Sequence, residues 1–518
     1  MNDVARASAD RPVHAALECY HPLAMNLAVL GEDNVRTFGE YVALHFEGRD
    51  FTNVEQQREA ARVAQALRRL GVVEGDRVVV LLPNCPEVLQ AYGGILRLGA
   101  VIVPVVFLLS ADEVRHILAD SDAKVVITSS ELASKVEGWN GNVVLVGGGA
   151  EGLAWEELVR RESDRFPLVA RDDNELAVIL YTAGTTGRPK GVALSHGNLA
   201  SNARSAASLY ELDRTAWSLA VLPLSHSYGL TVMNAGNILG TRAVLLRWFT
   251  PERVLETIER FRVHSMAGVP TMYVYLLNYP DAGRFDTSSM RSWGSGAAPL
   301  PLEIVEPFEK KFGGRLMEGY GLTEASPVVS AHRLSGVRKL GSVGQPIPGV
   351  EVAILDDADR ALPPGELGEV GVRGPNVMLG YYRLPDESAK TLRHGWLHTG
   401  DIGRVDEDGF LYIVERKKDL IIRGGFNIYP REVEEVLYAH PGVAEAAVIG
   451  MPDALMGEEV LAFVALKPGI EVSADDIIGF CQSRLAKFKS PKQVRFVDAL
   501  PKSPVGKILR KELRMQAG

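Results

Sequence analysis

The stretch that decides the fold and the chemistry is AVILYTAGTTGRPKGVALSHG, at residues 177–197. An apolar run at residues 177–180 is typical of a buried strand, and a second apolar run follows Lys190. The small and hydroxyl-bearing residues between the two runs are Thr182, Ala183, Gly184, Thr185, Thr186 and Gly187. Backbone N–H groups and hydroxyls in such a turn can bind an anion, and Lys190 adds a positive charge. The stretch predicts a phosphate-binding turn, with a flexible surface hairpin as the alternative.

The spacing of the glycines excludes a Walker loop. That motif requires the pattern G-x-x-x-x-G-K-[ST]. Here Gly184 and Gly187 are too close together, and Gly191 follows Lys190 where Ser or Thr is needed.

Length and composition predict a globular protein of several domains. A chain of 518 residues is too long for one hydrophobic core, so two to four domains are expected. Hydrophobic residues make up 46% and charged residues 23%, which is ordinary for a globular protein. The net charge of −9 argues against a general nucleic-acid binder but leaves room for a local basic pocket.

The cysteines and the hydrophobic runs predict a cytoplasmic location. Cys19, Cys85 and Cys481 are far apart and lack metal-ligand spacing, and a sparse, odd count suits a reducing compartment. The sequence has no secretory signal pattern and no apolar run near the roughly 20 residues that a membrane span needs.

Helical and strand patterns alternate at short intervals from residue 52 to about residue 280. Residues 52–71 have helical spacing, 75–84 read as a strand, 86–100 as a helix and 101–107 as a strand. This alternation is typical of a parallel α/β sheet. Residues 1–50 are poorly patterned and are expected to wrap the first domain.

The composition of the sequence and its pattern of predicted strands and helices change twice in the second half of the chain. From about residue 340 the chain is rich in Gly and Pro, with short alternating segments that predict small antiparallel strands. From about residue 419 a compact mixture of strands and helices follows. We place a domain boundary at the charged run at residues 415–419, ERKKD.

Seven polar motifs stand out against this background. They are the stretch at residues 177–197, PLSHSYG (223–229), GSGAAPL (294–300), EGYGLTE (318–324), HTGD (398–401), ERKKDLIIRGGFNIYPREVE (415–434) and PKSPVGK (501–507). In this order and spacing they resemble the adenylate-forming superfamily, which comprises acyl-CoA synthetases, nonribosomal adenylation domains and beetle luciferases. The resemblance, to the fatty-acyl-CoA ligase type, covers the chain from about residue 50 to its end.

The resemblance implies an α/β fold with two unequal parts. A large N-terminal domain (residues 1–416) would hold two doubly wound subdomains and a small distorted β-barrel at about 340–415. Residues 417–419 would form a hinge, and residues 420–518 a small mobile C-terminal α+β domain.

The family's chemistry has two steps and uses ATP, Mg²⁺ and coenzyme A. A carboxylate attacks the α-phosphate of ATP to give an acyl-adenylate and pyrophosphate, and a thiol then releases AMP. Such an enzyme must neutralise charge and exclude water from a reactive mixed anhydride.

The resemblance assigns most of the polar motifs to the nucleotide. Thr182, Thr185, Thr186 and Lys190 would bind the β- and γ-phosphates, with Ala183 where relatives often have Ser. Tyr320 would stack on adenine, Thr323 would contact the α-phosphate and Glu324 would hold Mg²⁺. The remaining nucleotide-binding residues would be Gly184, Gly187, Gly296, Ala297, Ala298, Glu318, Gly319, Gly321, Asp401 and Arg416, the last two at the ribose.

Three further assignments concern the C-terminal part. Lys507 would carry the first step by bridging the carboxylate and the α-phosphate. Lys418 would be the hinge, and Gly424 and Gly425 would let the pantetheine arm of coenzyme A pass close to the backbone.

The acyl pocket is expected around PLSHSYG. His226, Tyr228, Gly229, Asn234 and Gly268 are the candidates, with Trp293 by position only. The apolar neighbourhood favours an aliphatic or aromatic acid over an amino acid, and a fatty acid is preferred.

Other functions remain open from sequence alone. The chain could load an acyl carrier protein, activate an aryl acid, or bind nucleotide without catalysis. A homodimer is one possible assembly.

Overall fold

The computed structural model describes residues 26–149, 152–182, 189–502 and 508–517. The α-helices of this part of the chain are, in order, α1 (Val29–Phe38), α2 (Asn53–Arg69), α3 (Pro86–Arg97), α4 (Ala111–Ser121), α5 (Trp155–Arg160), α6 (His196–Ala207), α7 (Ser227–Leu239), α8 (Pro251–Phe261), α9 (Pro270–Leu277), α10 (Leu302–Phe312), α11 (Pro385–Thr391), α12 (Pro430–Tyr438), α13 (Ala474–Gln482) and α14 (Arg510–Ala517). Short 3₁₀ segments lie at Ser130–Val136, Ala282–Arg284, Thr323–Ala325 and Lys417–Asp419.

The strands fall into four sheets. In chain order they are β1 (Val42–Phe46), β2 (Arg49–Thr52), β3 (Arg77–Leu81), β4 (Val101–Pro104), β5 (Val125–Ser129), β6 (Asn142–Val146), β7 (Leu153–Ala154), β8 (Leu176–Thr182), β9 (Lys190–Ser195), β10 (Trp217–Ala220), β11 (Arg242–Leu245), β12 (Ser265–Gly268), β13 (Ser292–Ser295), β14 (Arg315–Gly321), β15 (Val328–Ala331), β16 (Gln345–Pro346), β17 (Glu351–Leu355), β18 (Gly368–Arg373), β19 (Gly380–Tyr381), β20 (Leu392–Arg393), β21 (Trp396–Val405), β22 (Leu411–Arg416), β23 (Ile421–Arg423), β24 (Phe426–Ile428), β25 (Val443–Asp453), β26 (Gly457–Leu466) and β27 (Gln493–Phe496).

Two large sheets form the centre of the N-terminal domain. The eight-stranded sheet has the order β19-β9-β8-β4-β3-β5-β6-β7 and is parallel from β8 to β7. The nine-stranded sheet has the order β16-β15-β14-β13-β12-β10-β11-β1-β2 and is parallel from β14 to β1. Residues of β3 such as Val78 and Val79 are fully buried, as expected for strands covered on both faces. The predicted doubly wound α/β fold is confirmed.

Two smaller sheets follow in the chain. One is antiparallel, with the order β17-β18-β21-β20 and β22 paired to β21. The other has the order β24-β23-β26-β25 with β27 parallel to β26, and it forms the core of the smaller C-terminal domain. The 3₁₀ turn Lys417–Asp419 connects the two sheets. The residue limits of the predicted domains and hinge stay predictions.

The N-terminal residues are more integrated than the sequence indicates. The described part of residues 1–50 forms α1 and the strands β1 and β2, of which β1 pairs in parallel with β11. The partners are far apart in sequence: Leu44 lies opposite Ala243. This segment therefore completes the nine-stranded sheet instead of only wrapping its surface.

No helix in the described ranges is long and apolar enough to cross a membrane. The cytoplasmic location stays a prediction.

A cluster of aromatic side chains from β13, α9 and α10 lies in the hydrophobic core beside the nine-stranded sheet. Phe308 is fully buried and packs edge-on against Trp293 at 5.0 Å and Tyr273 at 5.3 Å between ring centroids. The Trp293 indole N–H donates to the Gly313 carbonyl at 2.9 Å. Trp293 is thus placed in the hydrophobic core.

We expect Phe308→Ala to lower the free energy of unfolding of the large domain by about 3–5 kcal/mol, because it leaves a cavity among rigid rings. Urea denaturation followed by far-UV circular dichroism measures the change. Phe426→Ala, at a side chain that is 60% exposed, is the matched control and should change stability by less than about 0.5 kcal/mol. Equal effects of the two variants would contradict the assignment of Phe308 to the core.

Candidate active site

The centre of the candidate site is a buried carboxylate held by two donors. The Tyr320 hydroxyl donates to Oδ2 of Asp401 at 2.5 Å, and Nε of Arg416 donates to Oδ1 at 2.7 Å. Tyr320 lies near the end of β14, whereas Asp401 and Arg416 are paired residues on β21 and β22. Asp401 is only 2% exposed. Three residues predicted for adenine and ribose are therefore brought together from two sheets.

The pKa of Tyr320 is raised well above its usual value. Burial is the main cause, and the neighbouring negative charge of Asp401 adds to it. The hydroxyl is therefore a proton donor at neutral pH, and Asp401 is its acceptor.

Thr323 and Glu324 lie just beyond this group, in the 3₁₀ turn after β14. The Thr323 hydroxyl is 3.3 Å from the hydroxyl of Ser227, the first residue of α7. Oε1 of Glu324 accepts a hydrogen bond from the Tyr381 hydroxyl at 2.9 Å. Both predicted phosphate-end residues thus have fixed side-chain partners.

Lys190 is held by an acidic residue that the sequence did not point to. Its Nζ lies 2.7 Å from Oε2 of Glu387 and 5.5 Å from the centre of the Tyr381 ring. Thr182 lies opposite Lys190 in the register of β8 and β9. The turn between them, with Ala183, Gly184, Thr185, Thr186 and Gly187, lies outside the described residues, as does Lys507.

Glycines and small residues allow close backbone approach around Tyr320. A Cβ on Gly321 would lie 2.3 Å from the Pro327 carbonyl oxygen, and one on Gly319 would lie 3.2 Å from the Ser330 carbonyl oxygen. The absence of a side chain at these two glycines allows close packing against Pro327 and β15. Ala297 has φ of 68°, in the left-handed region, and Ala298 follows it in the same turn.

Tyr228 connects this group to a cavity. A Cβ on Gly296 would lie 3.3 Å from the Tyr228 ring and 3.6 Å from the Gly319 carbonyl oxygen. Burial raises the pKa of Tyr228 to about 12. The cavity behind it has a volume of about 410 Å³, and Tyr228, Gly229 and Asn234 are among its lining residues.

The cavity is mainly apolar. Leu219, Val221, Met266 and Met317 line it, and His332 adds a polar group. Most of these side chains come from neighbouring strands of the nine-stranded sheet.

Two predicted acyl residues have other local roles. Nδ1 of His226 accepts the backbone N–H of Tyr228 at 3.2 Å and caps α7. A Cβ on Gly268 would lie 2.9 Å from the Tyr273 hydroxyl, on the side of the aromatic cluster. Neither residue is among those that line the described cavity.

The segment after Arg416 carries the predicted hinge and coenzyme A residues. Lys418 is exposed in the 3₁₀ turn. Gly424 and Gly425 form the turn between β23 and β24, with φ of 57° and 82° that favour glycine. Their assigned roles stay predictions.

A buried ionic network surrounds this segment and was missed from the sequence. Arg510 binds both carboxylate oxygens of Glu434 at 2.8 Å and lies 3.4 Å from Glu415 and 3.6 Å from Asp419. Arg514 donates to Asp419 at 2.7 Å. These residues are separated by up to 95 positions, so local patterns carry no signal of the pairing.

Glu318 is buried beside the residues predicted to bind the nucleotide, and the positive charge of Arg431 offsets only part of the effect of its burial. Its carboxylate accepts the Leu300 N–H at 3.1 Å, and burial raises its pKa to about 7 from an ordinary 4.5. The folded protein binds this proton more tightly than the unfolded chain does. The contribution of Glu318 to stability therefore falls as pH rises from about 4.5 to about 7 and stays constant above.

We expect Glu318→Gln to raise the free energy of unfolding by on the order of 3 kcal/mol at pH 8 and by little at pH 4.5. The Gln side chain keeps an oxygen that can accept the Leu300 N–H, and it carries no charge that burial would destabilise. Urea denaturation at a series of pH values measures the difference. Glu306→Gln, at an exposed position of α10, should change neither value, and a pH-independent gain in Glu318→Gln would refute the raised pKa.

Two protein-family models match the chain. The family model for AMP-binding enzymes matches residues 31–382, and that for the C-terminal domain of AMP-binding enzymes matches residues 432–507. A long-chain-fatty-acid–CoA ligase of Bacillus subtilis (strain 168) is 39% identical, over 93% of this chain and 92% of the relative. A feruloyl-CoA synthase of an Amycolatopsis species is also 39% identical, over 92% and 96%.

Solved structures agree with the sequence relatives. The anthranilate CoA ligase AuaEII in complex with anthranoyl-AMP has a TM-score of 0.91 at 30% identity, covering 96% of this chain and 98% of that one. ATP-bound MatB from Rhodopseudomonas palustris has a TM-score of 0.88 at 33% identity, covering 95% and 99%. The chain therefore belongs to the AMP-binding enzyme family, the adenylate-forming superfamily that its seven motifs resemble.

Proposed function

We propose that the protein activates a carboxylic acid with ATP and transfers the acyl group to coenzyme A. The observation that carries this proposal is a row of neighbouring residues, Tyr320, Gly319, Gly296 and Tyr228. The row leads from the residues assigned to the nucleotide to an apolar cavity of about 410 Å³. A mixed anhydride of acid and AMP would lie along this row, with its acyl group in the cavity.

In the first step a carboxylate oxygen attacks the α-phosphorus and pyrophosphate leaves. Asp401 accepts the ribose hydroxyls while Arg416 fixes its orientation. Thr323 donates to the α-phosphate, and Lys190 with the turn after Thr182 binds the leaving pyrophosphate. We propose that Lys507 acts where the negative charges of the acid and the α-phosphate converge.

Glu324 fits a magnesium ion that nucleotide phosphates help to bind. Among the described residues no group of three or more His, Cys, Asp or Glu side chains could hold a metal on its own. One half-buried carboxylate plus phosphate oxygens is a donor set that suits a hard cation. Bound there, Mg²⁺ would offset phosphate charge.

In the second step the coenzyme A thiol attacks the acyl carbon, the thiol proton is lost and AMP leaves. Gly424 and Gly425 form a turn with left-handed backbone angles and without side chains. After rotation of the small domain at Lys418, the pantetheine arm would pass close to the backbone of this turn. Loading of a carrier protein is the alternative acceptor reaction.

An aliphatic or aromatic acid fits the cavity best. The lining is mainly apolar, and residues 223–240 contain no Asp or Glu. The acidic side chain among the lining residues, Glu211, already accepts hydrogen bonds from the backbone N–H and the hydroxyl of Ser335. The relatives act on both classes by name, long-chain fatty acids in one and feruloyl groups in another. We propose a fatty acid as the substrate, with an aryl acid as the second candidate.

A substrate panel tests the proposal. The full chain is incubated with ATP, Mg²⁺, coenzyme A and single fatty or aryl acids, and AMP, pyrophosphate and acyl-CoA are measured. Formation of acyl-CoA with equal AMP supports it. Adenylate without transfer to coenzyme A would favour the carrier-protein reaction, and no pyrophosphate from any acid would contradict both.

We expect Lys507→Ala to slow adenylation by about 10²–10³-fold, by analogy with the loss of one oxyanion donor. It should leave thioester formation from a supplied acyl-adenylate close to the wild-type rate, because Lys507 acts only at the α-phosphate. Single-turnover assays of each half-reaction measure the two rates. Lys511→Ala, an exposed lysine on α14, is the control, and equal loss of both halves in Lys507→Ala would contradict the role.

A further inference from the structure

Glu387 is an acidic residue placed on the lysine that should bind the pyrophosphate part of ATP. Its Oε2 lies 2.7 Å from Nζ of Lys190, and its Oε1 accepts from Lys390 at 3.0 Å. The Glu387 side chain is 35% exposed and that of Lys190 is 17% exposed. No motif of the sequence pointed to Glu387, and none of the proposed steps uses it.

The contact is held in place by the backbone. Strand β19 pairs with β9, the strand that begins at Lys190, and the Tyr382 N–H donates to the Gly191 carbonyl at 2.7 Å. Helix α11 starts three residues after Tyr382, and its Ser388 hydroxyl accepts the Tyr381 N–H at 2.8 Å. Glu387 therefore lies beside Lys190 because Lys190 begins β9, and the helix that carries Glu387 is held against the adjacent strand β19.

The Glu387 carboxylate accepts a hydrogen bond from the same Lys190 ammonium group that would donate to a phosphate oxygen. The ammonium group of Lys190 is a compact charge, and charge-assisted hydrogen bonds to a carboxylate and to a phosphate are of similar kind. The ammonium group has three N–H donors, so a nucleotide that reaches Lys190 either displaces Glu387 or shares the group with it, and in both cases the carboxylate charge remains near the phosphates.

We propose that Glu387 competes with the β- and γ-phosphates for Lys190, weakens ATP binding and speeds the release of pyrophosphate. This inference rests on the proposed function, in particular on Lys190 as a pyrophosphate ligand. Glu387 acts through Lys190 and is a positioning residue. AMP and the acyl-adenylate lack the β- and γ-phosphates, so their binding is independent of Glu387.

The test compares three ligands on the full chain by isothermal titration calorimetry. MgATP, magnesium pyrophosphate and AMP are titrated into the wild type and Glu387→Gln, without acid or coenzyme A. We expect Glu387→Gln to bind MgATP and pyrophosphate about 3–5-fold more tightly, with AMP affinity unchanged within about twofold. Pyrophosphate should also become a correspondingly stronger inhibitor of acyl-CoA formation.

Asp386→Asn is the matched control. It removes the same charge from the same helix, at an exposed neighbour, and Asp386 forms none of the ion pairs that the described residues show with Lys190. It should leave all three affinities unchanged. Thermal unfolding of each variant checks that the fold is kept.

The possible failures are distinguishable. Weaker MgATP binding in Glu387→Gln, an equal gain for AMP, or an equal gain in Asp386→Asn would overturn the competition. A wild-type protein that binds none of the nucleotides would instead contradict the proposed function.

Discussion

The paired carboxylate of Asp401 is the interaction on which the arrangement of the site depends. A buried charge is costly unless it is paired and hydrogen-bonded. Among the described residues, Asp401 satisfies this condition with Arg416 from the neighbouring strand β22 and with Tyr320 from the nine-stranded sheet. If the antiparallel sheet shifted against the nine-stranded sheet, Asp401 would keep Arg416 but lose the hydrogen bond from Tyr320, so this bond fixes the two sheets at the place where adenosine is expected.

The same constraint extends towards the C-terminal domain through neighbouring residues. Arg416 follows Glu415, which accepts the backbone N–H of Arg431 at 2.9 Å and lies 3.4 Å from Arg510. Burial raises the pKa of Glu415, although Arg510 opposes the shift. Arg510 also binds Glu434. A rotation at the 3₁₀ turn would have to rearrange contacts of Arg510, which lies three residues after Lys507.

Much of the fold could be predicted because its signals are local. Helix α2 has helical spacing and a Thr52 cap that accepts the Glu55 N–H, and the fully buried β3 is a continuous apolar run. Strand β1 could not be predicted as part of the nine-stranded sheet, because its partner β11 lies about 200 residues later. Parallel pairing leaves no hairpin signal in the sequence.

The residues of the candidate site also fall into those that the sequence indicated and those that only the structure shows. The resemblance named Tyr320, Asp401 and Arg416, and the structure brings them together. It did not indicate Tyr381 or Glu387, because their contacts with Glu324 and Lys190 span 57 and 197 positions. Only the pairing of β19 with β9 makes these contacts possible, and strands of two residues leave little pattern.

Burial determines which of the paired charges can exchange partners when a nucleotide binds. Asp401 is almost fully enclosed, and breaking its pair with Arg416 would leave an uncompensated charge in the interior, a cost of several kcal/mol. The pair is therefore suited to remain intact and to orient the carboxylate. Glu387 is about one-third exposed, so its released carboxylate can be hydrated, and its pair with Lys190 is weak. The proposed adenosine end of the site is thus preorganised, whereas the proposed pyrophosphate end is suited to an exchange of partners, as the departure of pyrophosphate requires.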